Sequence, residues 1–427
     1  MNNGSQSTEA SFEAFRGQAL GIFAVLCAGF VASQFYRVSN AVIAPELMRT
    51  LAISAEAMGV ITGMYFLTFA AAQLPAGILL DRFGPRRTMS ALFILAVVGS
   101  VVFALAQGVA GLAIGRGLMG LGCATGLMGA LVAIARWFPP GRFAQLSSLL
   151  YTIGGAGFLL ATTPLAAIAD GVGWRGAFWM MAAVTAVLAM LLYAVVRDRP
   201  AGQEIPESAR ETPGEIWQGM KDVLANRELR FVCAMQFVTF GTTLAVVGLW
   251  AGPYFNDVHG LQGVMRGNLL LLLNISMLVG VMAFTFIERW LNSRKWAIGG
   301  GAILSVVLLA ILALVPDLGL WPATVLLVAF GLSSAHVMLI HAHARVVLPD
   351  HLVGRGLTLQ NLAVFLGVFT IQSASGLIVG QFDDGTAGAP EAAYRAVFGF
   401  LALATLLALA IYLRCRNVRP MAEGAAT

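Results

Sequence analysis

Gly77-Ile78-Leu79-Leu80-Asp81-Arg82-Phe83-Gly84-Pro85-Arg86-Arg87 joins two long apolar runs, 57–80 and 88–107. An aspartate at the end of a helix opposes that helix's dipole, so Asp81 requires a partner, either an arginine or the N-terminus of another helix. Gly77 lets a neighbouring helix approach and Gly84 permits a tight turn. Arg82, Arg86 and Arg87 hold the loop on the positively charged side of a membrane.

The rest of the chain is built like these two runs. Of 427 residues, 59% are apolar and 11% charged, and the mean hydropathy is +0.82. A soluble domain carries about 25% charged and about 45–50% apolar residues. So few charges cannot wet a soluble surface, and the same figures exclude disordered, collagen-like and coiled-coil chains. Runs long enough for a ~20-residue crossing fall at 19–42, 57–80, 88–107, 112–135, 144–167 and 176–196, and again at 231–252, 268–287, 297–315, 320–342, 357–379 and 394–413. Their hydrophobicity is continuous rather than alternating, which predicts helices and not barrel strands. The expected fold class is an all-α polytopic membrane protein of twelve transmembrane helices. It comprises a tail at 1–18, a six-helix bundle at 19–196, a linker at 197–230, a second bundle at 231–413 and a tail at 414–427.

With the N-terminus inside, the cytoplasmic segments hold twenty of the 26 basic residues and the outer loops four, namely Arg49, Arg175, Arg266 and Arg395. That bias predicts both termini in the cytoplasm. The first 18 residues are polar and contain Glu9 and Glu13, unlike the basic leader of a cleaved signal, so the first run is expected to be a retained span of an inner membrane protein. Cys27, Cys123 and Cys233 lie in apolar runs and Cys415 in a basic tail, which suggests no disulfide framework. In the linker, Ile216, Met220, Val223 and Leu224 fall at helical spacing; a short amphipathic helix on the membrane face and a solvated tether both fit.

The halves echo one another. Ala135-Arg136 with Pro139 and Arg142 returns as Ala344-Arg345 with Pro349 and Arg355. Asp81-Arg82 with Arg86 and Arg87 returns as Glu288-Arg289 with Arg294 and Lys295. The offsets, 207 to 213 residues, equal one half of the chain, so the two bundles are expected to be pseudo-symmetric, the build plan of secondary transporters.

The stretch 77–87 resembles the signature between helices two and three of the major facilitator superfamily. Arg116 in Gly115-Arg116-Gly117-Leu118-Met119-Gly120-Leu121-Gly122 is similar to that family's helix-four motif, and Gly173-Trp174-Arg175 is a third shared feature. The resemblance covers residues ~19–413 and agrees with the count of six plus six. It implies a transporter in which Asp81 and Arg136 latch the cytoplasmic ends of the bundles in one access state, with Glu288, Arg289 and Arg345 as counterparts. The second copy departs from the pattern: Phe284 stands where the first glycine belongs, and the loop is a residue longer.

Arg37 bears most on the substrate. Ser33, Tyr36, Arg37 and Asn40 fall at i, i+3, i+4 and i+7, which predicts one polar face on span one. Burying an arginine costs from about 3 to more than 10 kcal/mol, and no Asp or Glu lies inside a predicted span core, so an anionic substrate is expected to neutralise it. The competing reading has Arg37 snorkelling to the outer interface or to Glu46. The run from Phe35 to Pro45 resembles the first helix of bacterial organophosphate antiporters, which carry a second arginine in helix seven. Here Gln236, Thr239 and Thr243 occupy that region, so a carboxylate-like monoanion fits better than a phosphate ester. Tyr65, Gln73, Asn274, Asn361 and Gln372 are further candidates for a midplane site, each also suited to helix–helix hydrogen bonding. Arg116 and His336 are the candidates for coupling or gating.

Enzyme chemistry has no footing. Neither lysine follows a glycine as in a phosphate loop, and no metal-ligand spacing or nucleophile motif is present. No cofactor, metal or nucleic-acid partner is expected; a small anionic molecule and the lipid bilayer are, around a monomer. The rival functions are multidrug or metabolite efflux driven by protons, and a transporter-like ligand sensor. Efflux ranks second because span five has Gly154-Gly155-Ala156-Gly157 without Gly-Pro.

Overall fold

The computed structural model describes residues 3–198, 225–348, 353–382 and 388–418, and every regular element among them is helical. Ten helices are long and apolar enough to cross a membrane. Two of these, Ala55–Leu105 and Gly141–Val195, exceed the ~20 residues of one crossing more than twofold, and each doubles back at a glycine. Gly84 has φ 76° and ψ 167°, and Gly173 has φ 73° and ψ 165°. Both lie in the left-handed region that side chains avoid, so the chain reverses without a loop and twelve crossings result. Residues 199–224, including the proposed amphipathic positions Ile216, Met220, Val223 and Leu224, lie outside the described residues.

The repeat is visible in the helix breaks. Span four breaks between Val109–Cys123 and Met128–Trp137, and span ten between Leu320–Ser334 and Val337–Val347. Ala124 and Ala335, which open the two breaks, are 211 positions apart, within the range of the sequence echoes. Span seven instead carries a π-helical turn, Val246–Trp250, between Arg227–Ala245 and Ala251–Asp257.

The core divides unevenly. One large cluster unites both halves, joining Phe66, Phe69 and Phe103 of the first with Trp250, Phe365 and Phe398 of the second. Two smaller clusters belong to one half each. Phe23, Leu80, Trp137 and Leu192 pack within the first, and Leu229, Phe284, Ile340 and Tyr412 within the second. These are the span ends on the side that carries both termini. The halves are therefore fused on the far side and separate on the terminal side.

Small residues allow the fusion. Gly252 of span seven lies so close to span one that a Cβ there would collide with the Ala41 carbonyl oxygen. A Cβ at Gly59 would lie 2.6 Å from Gln372 O, and one at Gly376 would lie 2.9 Å from Ala55 O, so spans two and eleven are in backbone contact. Outward faces are apolar: Phe286 is 69% exposed and Met282 67%. Trp290, Trp321 and Trp296 stand exposed near span ends, as in an aromatic belt.

Two substitutions separate packing glycines from waiting ones. A Cβ at Gly122 would strike Ala96, whereas no atom lies within 4 Å of one at Gly77. Gly122→Val should lower the melting temperature of the purified protein, with overpacking costing about 1–3 kcal/mol, while Gly77→Ala should leave it unchanged. Thermal unfolding in detergent measures both.

Candidate functional site

Arg37 lies deep in span one and is 9% exposed. Its guanidinium carbon sits 4.9 Å from the Phe69 ring centroid and 5.2 Å from that of Phe365. Phe69 comes from span two and Phe365 from span eleven, their centroids 4.4 Å apart, so the cation is enclosed by aromatic faces from both halves. Its Nε is buried without a hydrogen-bond partner, and no described carboxylate forms an ion pair with it. Cation–π contacts contribute about 0.5–2 kcal/mol each, which offsets only part of an intramembrane arginine's cost. Tyr151 of span five is 54% exposed, its ring centroid 5.8 Å from that of Phe30. The arginine does not snorkel to Glu46, which is occupied by another cation.

The other residues of the predicted polar face diverge. Tyr36 Oη lies 2.7 Å from Ser100 Oγ and 2.8 Å from Thr185 Oγ1, inside the first half. Ser33 donates to the Cys123 carbonyl and Asn40 to Thr62 Oγ1. The helical spacing holds, but one residue of rotation is about 100°, enough to turn Tyr36 into its own bundle while Arg37 faces the seam. Tyr65 is fully buried, donating to Ser33 O. Arg116 is fully buried behind span one, giving one bond of 2.7 Å to Tyr36 O and stacking on Tyr65.

Across the seam, Asn361 Nδ2 donates to Gln73 Oε1 at 3.0 Å, one turn from the Phe69–Phe365 contact toward the terminal side. Thr239 and Thr243 bond to their own helix, at Met235 O and Thr239 O. Gln236 bonds to His341, Asn274 to Leu270 O and Gln372 to Leu244 O. His336 forms the break in span ten, its Nδ1 2.8 Å from Ser333 O. Arg37, Gln73 and Asn361 are thus gathered at the seam, whereas Ser33, Tyr36, Tyr65, Thr239 and Thr243 spend their hydroxyls on helix packing.

The two ends of the seam differ. On the far side, Arg266 of span eight is 1% exposed and donates to Glu46 Oε1 at 2.7 Å and to Val42 O at 2.7 Å, tying the second half to span one. Asn256 accepts a further bond from it at 3.2 Å. Sequence reasoning had assigned Arg266 to an outer loop; span eight begins at Gly263, so Arg266 falls in its first turn. Span one likewise runs on to Leu51 and carries Glu46. On the terminal side, Asp81 and Arg82 are exposed, Arg136 is half-buried, and none of them forms an ion pair among the described residues. Arg86 instead donates through its backbone to Asp198 and through its side chain to Tyr193 O, docking the 77–87 turn on span six. Arg87, Arg289 and Arg345 are exposed, and Glu288 pairs with Arg294 of its own half. Asp81 and Arg136, the expected latch partners, are therefore not paired with each other in this structure.

The sequence reading missed Phe69, Phe365, Glu46 and Arg266. The phenylalanines are indistinguishable from core residues in a chain with 26 of them. The pairing of Glu46 with Arg266 joins residues 220 positions apart.

The Major Facilitator Superfamily model matches residues 25–372. The probable sulfoacetate transporter SauU of Cupriavidus necator is 24% identical over 248 residues, 56% of this chain and 57% of that protein. The probable hexose phosphate transport protein of Chlamydia trachomatis is 23% identical, over 64% of this chain and 65% of that one. The matches thus span about three fifths of the relatives' length. Among solved structures, a bacterial homolog of the human lysosomal transporter Spinster, in an inward-facing and unoccupied conformation, superposes with a TM-score of 0.75 at 16% identity, covering 93% of this chain and 95% of that one.

The far-side ion pair is testable by a double-mutant cycle. Arg266→Ala leaves Glu46 without its partner and should cost about 3 kcal/mol; adding Glu46→Ala should recover part of that loss. Strictly additive losses in thermal unfolding would contradict the pairing.

Proposed function

The chain belongs to the Major Facilitator Superfamily, and from that premise we propose that it is a secondary active transporter carrying a small organic anion across a bacterial inner membrane, with Arg37 as the recognising residue. The observation that carries this reading is the seam itself: a buried guanidinium held between rings of both halves, with no described carboxylate to neutralise it. Guanidinium edges present paired donors that suit a carboxylate or sulfonate. A single such cation favours one anionic group over a doubly charged phosphate ester. The names of the two relatives, for sulfoacetate and hexose phosphate, support an anion as cargo.

The excess of basic residues on the terminal side supports a cytoplasmic location for both termini. The open end of the seam then faces the cytoplasm, and the structure corresponds to an inward-facing state. Alternating access follows from the two ends. To face outward, the halves must break Glu46–Arg266 and the close contacts at Gly252, Gly59 and Gly376. Closing the cytoplasmic end would bring the second half onto Asp81, Arg136 and Gly77 of the first, of which Gly77 is uncovered here. Gln73 and Asn361 lie where the ligand chamber would begin. Arg116 and His336 are buried in helix packing, which supports a structural part for both.

Arg37→Ala tests the reading. Carboxylates or sulfonates that raise the melting temperature of the wild-type protein should have no effect on the variant, which should still insert and fold; a ligand at a hundred times its Kd stabilises by about 2.7 kcal/mol. Unaltered ligand-induced shifts in Arg37→Ala would remove Arg37 from the site.

A further inference from the structure

The surroundings of Arg37 constrain what else the ligand carries. Phe365 is met by three further aromatic rings: Phe69 at 4.4 Å, Phe66 at 6.3 Å and Phe240 at 6.5 Å between centroids. Phe240 is half-buried. Aromatic surface therefore adjoins the cation from spans two and eleven, and Phe240 of span seven extends it at the edge of the Phe365 ring.

Polar recognition is scarce by comparison. The hydroxyls of Thr239 and Thr243 are returned to their own helix, and those of Ser33, Tyr36 and Tyr65 are bonded within the first half. Asn361 is spent on Gln73. The hydroxyls of a polyhydroxylated acid would meet few free partners among the described residues, the unpaired acceptors being buried amide oxygens such as those of Asn40, Gln236, Asn274 and Gln372, and burying an unpaired hydroxyl is unfavourable. An apolar body would cover ring surface and lose nothing.

Resting on the reading of Arg37 as the anion-binding residue, we propose that the ligand is a monoanion with an aromatic or otherwise apolar body, its acid group on the guanidinium edge and its body against the Phe240–Phe365 surface. The acid supplies the charge that the protein lacks, and the rings select the remainder.

Isothermal titration of the full-length protein with phenylacetate, gluconate and glucose 6-phosphate tests this. Phenylacetate and gluconate carry the same charge and differ in body. Phenylacetate should bind about tenfold more tightly than gluconate, a difference of about 1.4 kcal/mol, and glucose 6-phosphate should bind no better than gluconate. Phe240→Leu, which removes a ring and keeps an apolar side chain, should narrow the preference to about threefold. Arg37→Ala should abolish binding of all three. If gluconate or glucose 6-phosphate binds as tightly as phenylacetate in an Arg37-dependent way, the apolar-body proposal fails and the anion reading stands. If binding survives Arg37→Ala unchanged, or no anion binds the wild-type protein, the anion reading fails and this inference with it.

Discussion

A buried arginine without a protein counter-ion is the constraint on which the rest of the structure turns. Arg37 is placed where the two halves meet, and its charge is faced by the rings of Phe69 and Phe365, one from each half. Such an arrangement tolerates the cation without neutralising it. A permanent carboxylate partner would have closed the site to an external anion, because the ligand would then have to displace an ion pair already made. On the proposed reading, that unneutralised charge in a largely apolar seam is what an anionic ligand would bind.

The two ends of that seam are built for different states. The far end is close-packed on glycines and carries the buried Arg266–Glu46 pair, so it is stable when shut. The terminal end has its charges apart: Asp81 and Arg136 are unpaired with each other, and Arg86 holds the turn to span six within its own half. Each half keeps its own small core at this end, which lets the halves separate here without exposing a shared one. On the proposed reading, exchange between access states would trade these far-side contacts for others on the terminal side, with the Phe69–Arg37–Phe365 contact near the pivot.

Much of the architecture was legible in the sequence because membrane insertion dictates composition directly. Apolar length gave the spans, and Gly84 was read as a tight turn whose backbone geometry only glycine accepts readily; Gly173 makes a second such reversal that the sequence reading did not single out. The paired breaks at Ala124 and Ala335 fit the repeat offset, but no residue pattern announced them. The site was legible only in part. An arginine in an apolar run is conspicuous, so Arg37 could be singled out from sequence. Helical spacing, however, gives the angle of a side chain about its axis and not the neighbour it meets, and Tyr36 and Ser33 turned out to serve the first bundle. The rings that hold Arg37 and the acid that holds Arg266 come from distant stretches, and no local pattern distinguishes them from ordinary core phenylalanines or a span-end glutamate.

The most direct test of the central claim is a cryo-EM structure of the protein in a lipid nanodisc with a saturating aromatic monocarboxylate. The account predicts ligand density at the seam, its carboxylate oxygens at about 2.7–2.9 Å from the Arg37 guanidinium nitrogens. Density elsewhere, with Arg37 neutralised by a protein carboxylate or a lipid phosphate, would contradict it.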